Sequence, residues 1–381
     1  MSADLVFTNA RFALPDEIVP GWIAVSDGII REFGRGPMRT PGGIDLDGDL
    51  LIPGLIELHT DHLETHLRPR PMVRWPEASA IMAFDAQIAA SGITTVFDCI
   101  RTGHDLDLVS AHQEVETVVA ALADAEKRGL LRVDHRLHIR CEICAEDVIR
   151  TTACLMDRYP VALISLMDHT PGARQFTSLD TWRTYYGGKS GMSEHELDML
   201  IVRKCDQFAK NYLNNRRGIV ALAAAGSTVL ASHDDATADH VAESVADRVA
   251  IAEFPTTIEA ARLSHAAGIK VMMGAPNVVR GGSHSGNVAA EELARAGVLD
   301  ILSSDYVPAS LLFGAFDLAR RIEGLDLAQA LRTVTATPAR AAGLADRGEI
   351  AMGKRGDLVR VAVSEGLPVV REVYRGGRRI L

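Results

Sequence analysis

Short apolar runs bounded by turn residues occupy both ends of the chain. They have the length and the flanking Gly and Asp residues that are typical of β-strands. The clearest of these runs are Leu5–Ala10, Trp22–Val25, Leu358–Val363 and Val373–Tyr374. Because both ends share this pattern, we expect residues 1–53 and 346–381 to form one small β-sandwich domain.

Between the two ends, apolar runs alternate with stretches of helical period. The predicted strands are Ile52–Leu58, Thr94–Ile100, Leu137–Ile143, Ala162–Asp168, Thr228–His233, Ala250–Phe254, Lys270–Gly274 and Asp300–Ser304. The predicted helices are Ala111–Arg128, Glu194–Asn215, Thr256–Ala267, Val288–Ala296 and Leu325–Val334. Eight such repeats predict an α/β fold, a (β/α)8 TIM-type barrel over residues 54–345. A doubly wound open sheet is the competing fold, but the Gly-rich fingerprint that normally follows its first strand is absent.

Composition and charge exclude several classes of protein. No run approaches the roughly 20 apolar residues that span a bilayer, and no secretory signal is evident, so we expect a cytoplasmic protein. The 381 residues carry a net charge of −10, which argues against binding to nucleic acid or to anionic membranes. The five cysteines imply no disulfide framework. A homo-oligomer is compatible with the sequence.

Polar side chains that can bind a metal follow the first predicted barrel strand. His59 and Asp61 are two residues apart, so they point to the same side of the strand. An imidazole nitrogen and a carboxylate oxygen at the C-terminal end of a barrel strand suit a zinc-like cation. The alternative is that Asp61 is the N-cap of the following helix.

The third predicted strand carries a carboxylate on its polar face. Glu142 shares that face with His138 and Arg140, whereas the alternate positions are apolar. A carboxylate inside a barrel needs a positive partner. That partner is either a metal shared with His59 and Asp61 or, in the structural alternative, Arg140.

Four further strand ends carry residues of the same chemical type. In chain order they are His169 after the fourth strand, His233 after the fifth, Glu253 after the sixth and Asp305 after the eighth. Each has a simpler explanation when taken alone: Asp305 could cap a helix, and His233 could be a hydrogen-bonded core residue. Coincidence at so many strand ends is improbable, so together they predict a metal site at the C-terminal end of the barrel.

The loops after these strands add positive charge and exposed backbone amides. The candidate residues for binding an anion are Arg174, Lys189, Arg280, Gly282, Ser283 and His284. Glycines beside Ser, His and Arg just before a helix can form an anion-binding nest. Solvated arginines and ordinary glycine turns are the alternative for any one loop. Because three loops share the pattern, we expect them to bind phosphate.

Two segments resemble the amidohydrolase superfamily. The first is Ile52-Pro53-Gly54-Leu55-Ile56-Glu57-Leu58-His59-Thr60-Asp61, which is similar to its first-strand metal motif. The second runs from Thr335 to Val359 and looks like its return from barrel to sandwich. Within the superfamily, the loop motifs Met167–Gly172, Ser232–Asp235, Arg280–Asn287 and Ser303–Pro308 resemble the phosphonate-utilisation branch.

That resemblance implies a metal-dependent hydrolase of the carbon–phosphorus lyase pathway. Its reaction would convert α-D-ribose 1-methylphosphonate 5-triphosphate, a small anionic sugar substrate, to the 5-phosphate and diphosphate. The implied metal ligands are His59, Asp61, Glu142, His169, His233 and Glu253. Asp305 would act on the attacking water. One or two divalent ions are implied, with Zn²⁺ as the first choice and Mn²⁺ or Fe²⁺ as alternatives.

The sequence departs from the broader superfamily at two of these positions. Asp61 stands where a second histidine is usual, and Glu253 stands where a histidine usually ends the sixth strand. No lysine is evident as a bridging ligand on the fourth strand, so Glu142 becomes the expected bridge. Hydrolysis of a cyclic amide or an N-acyl group, and a metal-binding protein without catalysis, are the alternative functions.

Overall fold

The computed structural model describes residues 4–103, 112–174, 179–180, 182–183, 192–283 and 286–381. The first sheet is built from both termini. Its strands are β1 (Leu5–Ala13), β2 (Ile18–Ser26), β3 (Ile29–Arg35), β4 (Ile44–Asp45), β5 (Leu50–Pro53), β14 (Leu358–Ser364), β15 (Leu367–Arg375) and β16 (Arg378–Arg379). The strand order is β16-β15-β14-β5-β1-β2-β3, with β4 beside β1.

Long-range pairing joins the two ends of the chain in this sheet. Strand β14 pairs antiparallel with β5, so that Val359 faces Ile52. The core beneath the sheet includes Phe7, Ile23 and Tyr374, and the rings of Phe7 and Tyr374 meet edge to face at 4.9 Å. This sheet, which is built from both termini, fits the expected small β-sandwich.

The second sheet follows the repeat predicted for the middle of the chain. Its strands are β6 (Leu55–Thr60), β7 (Ile93–Thr102), β8 (Asp134–Glu142), β9 (Val161–Met167), β10 (Val229–His233), β11 (Ile251–Glu253), β12 (Lys270–Gly274) and β13 (Ile301–Ser303). They lie side by side in chain order, from β6 to β13. The pairs β6–β7, β8–β9, β9–β10, β10–β11 and β11–β12 are all parallel. The α/β class with a TIM-type barrel is therefore confirmed.

Helices follow the strands along the chain. In the described residues they are α1 (Leu63–Leu67), α2 (Glu77–Ala90), α3 (His112–Lys127), α4 (Val148–Arg158), α5 (Glu194–Gly226), α6 (Ala238–Ala246), α7 (Ile258–Ala266), α8 (Ala275–Arg280), α9 (Ala290–Arg295), α10 (Ser310–Arg321), α11 (Leu327–Arg332) and α12 (Ala336–Ala341). None of the helices in these residues is long and apolar enough to cross a bilayer.

The chain divides into two compact units. The first comprises Met1–Asp98, Ala125–His135 and Met273–Leu381, and the second comprises Cys99–Asp124 and Arg136–Met272. The division falls within strands β7, β8 and β12, so it is a different division from the one between sandwich and barrel. The sandwich boundaries at residues 53 and 346 stay a prediction.

The predicted strand Ile52–Leu58 is wrong as one element, because the chain changes sheets at Gly54. Strand β5 ends at Pro53 in the first sheet, and β6 begins at Leu55 in the second. A Cβ atom on Gly54 would lie only 2.1 Å from Oγ1 of Thr94. A continuous apolar run hides this switch, because hydrophobicity does not distinguish one buried sheet from another.

Helix α5 is longer than the predicted Glu194–Asn215. It begins with a capping box, in which Ser193 and Glu196 satisfy each other's backbone N–H groups. It continues to Gly226 because the added residues are rich in alanine, which favours helix. Ser227 then ends it in the left-handed conformation, with φ of 52°.

Candidate metal and phosphate site

In the first unit, the ends of β6 and β13 are joined by hydrogen bonds. The hydroxyl of Ser303 donates to the carbonyl of His59 at 2.6 Å, and the hydroxyl of Thr60 donates to the carbonyl of Asp305 at 2.7 Å. His59 is buried and Asp61 is half-buried. The first-strand and eighth-strand candidates, His59 and Asp305, therefore belong to one hydrogen-bonded cluster.

Asp305 occupies a constrained turn directly after β13. Its φ is 53°, a left-handed conformation that is uncommon for a non-glycine residue. Ser303 Oγ accepts its N–H at 3.1 Å, while Thr60 holds its carbonyl. Helix α10 has its N-cap at Ala309, so the alternative that Asp305 caps a helix is wrong. The backbone is held by hydrogen bonds on both sides of this carboxylate.

The N-cap alternative for Asp61 is also wrong. Helix α1 has His62 at its N-cap, and no side chain caps it. Nδ1 of His62 lies 2.8 Å from the carbonyl of Tyr306, and Nε2 lies 3.1 Å from Oε1 of Gln87. The same amide oxygen is 2.9 Å from Nε2 of His66. Both nitrogens of His62 and Nε2 of His66 thus have protein partners, which makes this histidine pair structural.

Glu57 is a buried member of the His59–Asp305 cluster that sequence reasoning missed. Its carboxylate is fully buried and accepts the N–H of His59 at 2.6 Å and the N–H of Ser304 at 2.5 Å. Burial raises the pKa of Glu57 to about 7, although these hydrogen bonds oppose the shift. A lone acid within an apolar strand was the available signal. Through these two hydrogen bonds, the Glu57 carboxylate holds the backbone at His59 and at Ser304, the residue before Asp305.

In the second unit, the ends of β8 and β9 bring two predicted ligands together. Nδ1 of His169 lies 2.6 Å from Oε2 of Glu142, and the N–H of His169 donates to Oε1 at 3.3 Å. The guanidinium of Arg101 donates to Oε2 of Glu142 at 3.2 Å. Arg101 is a cationic partner of Glu142 that the sequence analysis, which considered Arg140, did not identify.

The Glu142 contact determines which nitrogen of His169 suits a metal. A carboxylate at Nδ1 favours the tautomer with hydrogen on Nδ1, which makes Nε2 the nitrogen that can bind a cation. His233 repeats this arrangement, because its Nδ1 lies 2.8 Å from Oδ2 of Asp234. The two imidazole rings are 6.1 Å apart between centroids. Two oriented histidines in one unit fit a divalent cation.

Glu253 lies beside His233 at the ends of neighbouring strands. The two residues face each other in the β10–β11 register, and both are buried. Ser165 Oγ donates to Oε2 of Glu253 at 2.7 Å. Burial opposes the charged form of His233, but Asp234 outweighs it and raises the pKa of the imidazole. His233 is therefore a buried residue with a hydrogen bond at Nδ1, as the core-residue alternative expects. Its other ring nitrogen, Nε2, is the one suited to a cation.

A third cluster of possible ligands consists of Glu142, Cys144 and Asp168. Their ligand atoms all lie within 4.8 Å of one another. Burial raises the pKa of the Cys144 thiol, and the neighbouring carboxylates raise it further. The thiol donates to Oδ1 of Asp168 at 3.3 Å. Metals bind the thiolate form of cysteine, whereas this thiol stays protonated. The cluster is therefore better explained by the Cys144–Asp168 hydrogen bond than by a metal ion.

The phosphate-binding candidates have varied surroundings. Arg174 is only 2% exposed and pairs with Asp235, with Tyr212 at 3.1 Å and with Glu243 at 3.2 Å. Burial opposes the charge of Arg174, but Asp235 more than compensates and raises its pKa. A guanidinium engaged in this way has little capacity left for a substrate. Its role in phosphate binding stays a prediction.

The loop after β12 is the other described candidate. Arg280 ends helix α8, and Gly281 follows in the left-handed conformation. The N–H groups of Gly281 and Gly282 donate to the carbonyls of Val278 and Asn277, at 3.1 and 2.8 Å. These amides therefore close the end of α8 instead of preceding a helix. Binding of substrate by Arg280, Gly282 and Ser283 stays a prediction, and Lys189 and His284 lie outside the described residues.

A pocket in the second unit adjoins the Glu142–His169 pair. It is lined by Glu142, Cys144, Ala145, His169, Thr170, Lys204 and Gln207. The last two residues come from helix α5 and are not among the residues predicted from the sequence. No strand end or motif marks them, because they lie in the middle of a helix.

The fold and the candidate metal ligands at the strand ends are consistent with a hydrolase of the amidohydrolase type. Residues 210–378 match the amidohydrolase family, and together with the full-length relative described next this match shows that the chain belongs to this family. The chain is 45% identical to the α-D-ribose 1-methylphosphonate 5-triphosphate diphosphatase of Escherichia coli (strain K12). That similarity covers 99% of this chain and 100% of the relative.

Two solved structures of other enzymes share the fold. N-acetyl-D-glucosamine-6-phosphate deacetylase from Mycobacterium smegmatis is 17% identical, with a TM-score of 0.64 over 99% of this chain and 100% of that one. 5-Methylcytosine deaminase from Klebsiella pneumoniae is also 17% identical, with a TM-score of 0.65 over 99% and 98% of the two chains. At this level of identity the similarity establishes the fold alone.

Proposed function

We propose that this protein hydrolyses α-D-ribose 1-methylphosphonate 5-triphosphate to the 5-phosphate and diphosphate, in the cytoplasm. The observation that carries the proposal is 45% identity to the Escherichia coli enzyme over essentially the full length of both chains. Similarity of that extent spans every strand end from which the candidate site is built. The protein is thus a hydrolase that cleaves a phosphorus-containing acid anhydride.

The proposed metal ligands are the strand-end residues His59, Asp61, Glu142, His169, His233 and Glu253. Imidazole nitrogens and carboxylate oxygens of this kind suit one or two Zn²⁺ ions, and they also suit Mn²⁺ or Fe²⁺. When bound, such a cation supplies a Lewis acid that polarises phosphoryl oxygens and offsets their charge. Glu142 already contacts His169 through both oxygens, which supports an orienting role for it beside or instead of the expected bridging role.

Asp305 is the proposed general base. It would accept a proton from the water that attacks phosphorus, and it would then return a proton to the departing diphosphate oxygen. One P–O bond forms to the water oxygen and one breaks to the leaving group, so no oxidant or further reactant is needed. The held backbone of Asp305 supports this role, because a base must stay within hydrogen-bond reach of its water.

The substrate's negative charge must be matched by cations. We propose Arg174, Lys189, Arg280, Gly282, Ser283 and His284 as the residues that bind the phosphates, although the buried ion pairs of Arg174 leave its guanidinium little capacity for a substrate. Cationic groups aimed at a leaving diphosphate stabilise the charge that develops as the bond breaks. A neutral cyclic amide would not need them, which favours the phosphoanhydride over that alternative.

Product identification tests this function directly. The protein, reconstituted with Zn²⁺ or Mn²⁺, is incubated with the ribosyl triphosphate and in parallel with ATP, and the products are identified by phosphorus NMR. We expect diphosphate from the first substrate and little turnover of the second. Release of inorganic phosphate alone, or an unchanged rate after chelation has removed the metal, would contradict the proposal.

A further inference from the structure

Four polar side chains form a hydrogen-bonded chain in the second unit, from Cys99 to Glu253. The hydroxyl of Ser165 donates to Oε2 of Glu253 at 2.7 Å. The same hydroxyl oxygen lies 2.5 Å from Nε2 of His138, whose Nδ1 lies 3.3 Å from the sulfur of Cys99. The four residues come from strands β7, β8, β9 and β11. The chain therefore links four strands and ends on a proposed metal ligand.

The direction of each hydrogen bond follows from the contact with Glu253. A serine hydroxyl has one hydrogen, and Ser165 donates it to the carboxylate. The contact between Ser165 and His138 must therefore be donated by the imidazole, which places a hydrogen on Nε2. In the neutral imidazole Nδ1 is then an acceptor, and the thiol of Cys99 is its donor. All three donors thus point along the chain toward one carboxylate oxygen.

The chain is enclosed by protein. His138, Ser165 and Glu253 are fully buried, and Cys99 is buried as well. The interior of a TIM-type barrel is normally filled by branched apolar side chains, and polar groups there are costly unless they are hydrogen-bonded. A satisfied polar network also holds its members in one arrangement. The network therefore gives Glu253 a fixed orientation that an apolar filling would not provide.

Glu253 lies next to a second proposed ligand. It pairs with His233 in the β10–β11 register, and a ring nitrogen of His233 lies within 4.8 Å of a carboxylate oxygen of Glu253. An imidazole and a carboxylate that are this close can bind one divalent cation. Asp234 contacts the ring of His233 at Nδ1, whereas Ser165 contacts the carboxylate of Glu253 at Oε2. Each of the two neighbouring ligands thus has its own supporting residue.

We propose that Ser165 and His138 are positioning residues that orient Glu253 as a metal ligand. This inference rests on the metal site of the proposed function and adds two residues to it. Ser165 holds Oε2 of Glu253, and His138 holds Ser165, so the carboxylate keeps the rotation in which it binds a cation beside His233. The hydrogen bond at Oε2 also favours coordination through one carboxylate oxygen instead of two.

The metal affinity of the full-length protein tests this role. Competition titration of Zn²⁺ against a chelator compares the wild type with Ser165→Ala, Ser165→Thr and the control Ser264→Ala. We expect Ser165→Ala to lose about 10- to 100-fold in affinity, the usual effect of removing a residue that supports a ligand. Ser165→Thr keeps the hydroxyl and should recover part of this loss. Ser264 is a fully buried serine on α7, outside the four-residue chain, so its replacement should leave Zn²⁺ affinity unchanged.

The visible spectrum of the Co²⁺-substituted protein is a readout that a purely structural role would not change. The absorption bands of Co²⁺ respond to the number and arrangement of its ligands. They should shift in Ser165→Ala and stay unchanged in Ser264→Ala, while urea unfolding measures the stability of both variants separately. A wild-type spectrum together with wild-type Zn²⁺ affinity in Ser165→Ala would overturn the proposal, as would equal losses in Ser264→Ala.

A double-mutant cycle tests whether His138 acts through Ser165. His138→Leu removes the donor to Ser165 and should weaken Zn²⁺ binding by a smaller factor than Ser165→Ala does. Added to Ser165→Ala, it should cause little further loss, because residues that share one network are not additive. Fully additive losses would overturn the role of His138. If Ser165→Ala does not fold, wild-type affinity and a wild-type spectrum in His138→Leu would overturn the proposal instead.

The positioning role and the proposed function fail in different ways. Weakened Zn²⁺ binding in Ser165→Ala, combined with a wild-type protein that does not cleave the triphosphate, would retain the positioning role and reject the proposed function. Cleavage by the wild type, combined with unchanged Zn²⁺ affinity and an unchanged Co²⁺ spectrum in Ser165→Ala, would retain the function and reject the positioning role.

Discussion

Oε2 of Glu142 lies 2.6 Å from Nδ1 of His169, and this contact sets the tautomer of the histidine. A carboxylate behind a metal-binding imidazole orients the ring and makes its other nitrogen more basic. Arg101 contacts the same carboxylate oxygen and so fixes it from another side. Three residues from three strand ends of the second unit therefore act as one assembly, and this assembly gives the first prediction.

Replacing Glu142 by Gln should weaken metal binding. The amide keeps the size of the side chain but loses the charge that supports His169 and pairs with Arg101. We expect a loss of about 10- to 100-fold in metal affinity, as is usual when such a partner is removed. Competition titration against a metal chelator measures it. Glu146→Gln, an exposed change four residues away, should have no effect, and equal affinity in both variants would refute the role of Glu142.

Replacing Asp305 by Asn should lower kcat while the metal content stays constant. The amide cannot accept a proton, and general-base catalysis contributes about 10²- to 10⁴-fold to such reactions. Turnover of the ribosyl triphosphate and metal analysis of the same samples are the paired measurements. A variant with nearly normal turnover would remove Asp305 from the mechanism. A variant that also loses metal would assign Asp305 to metal binding.

Stability should fall at alkaline pH because of His135. This buried imidazole lies between two carboxylates, at 2.9 Å from Asp98 and 3.4 Å from Asp85, and Arg132 pairs with Asp85. Burial opposes its charge, but the carboxylates prevail and raise the pKa of His135 to about 9, from 6.5. Its contribution is therefore complete below pH 6.5 and is lost as the pH rises to 9.

The shift corresponds to about 3 kcal/mol of unfolding free energy. Urea unfolding between pH 6 and pH 9.5, compared for the wild type and His135→Gln, measures it. The difference between the two proteins should shrink as the pH rises. A constant difference across this range would show that the charge of His135 does not stabilise the fold.

Removing Arg174 should destabilise the protein. Arg174→Met leaves the buried carboxylate of Asp235 without its guanidinium, although Ser232 and Ser244 still donate to it. Loss of one partner of a buried ion pair costs about 3 to 5 kcal/mol. Urea unfolding should show this loss, and adding Asp235→Asn should restore part of it. Normal stability with a raised KM would instead favour the direct phosphate contact predicted from the sequence.

Local patterns determined the strands, and with them most of the candidate site. The apolar runs of the barrel strands end within two residues of where the structure ends them, apart from the run interrupted at Gly54. Parallel strands in sequence order place their C-terminal ends at one edge of the sheet, so the polar residue after each strand was identifiable. This is why Glu142, His169, His233 and Glu253 could be selected from the sequence.

The tertiary structure decided how these residues are supported. Arg101 beside Glu142 lies where no motif marks it. Glu57 lies within the first-strand motif, but its contacts with the N–H groups of His59 and Ser304 exist only in the folded chain. Their importance depends on packing between distant segments, and periodicity reports only the local environment of a residue. The sequence by itself determined the fold class and the type of chemistry, whereas only the packed chain decided which charges are buried together and which partner holds each one.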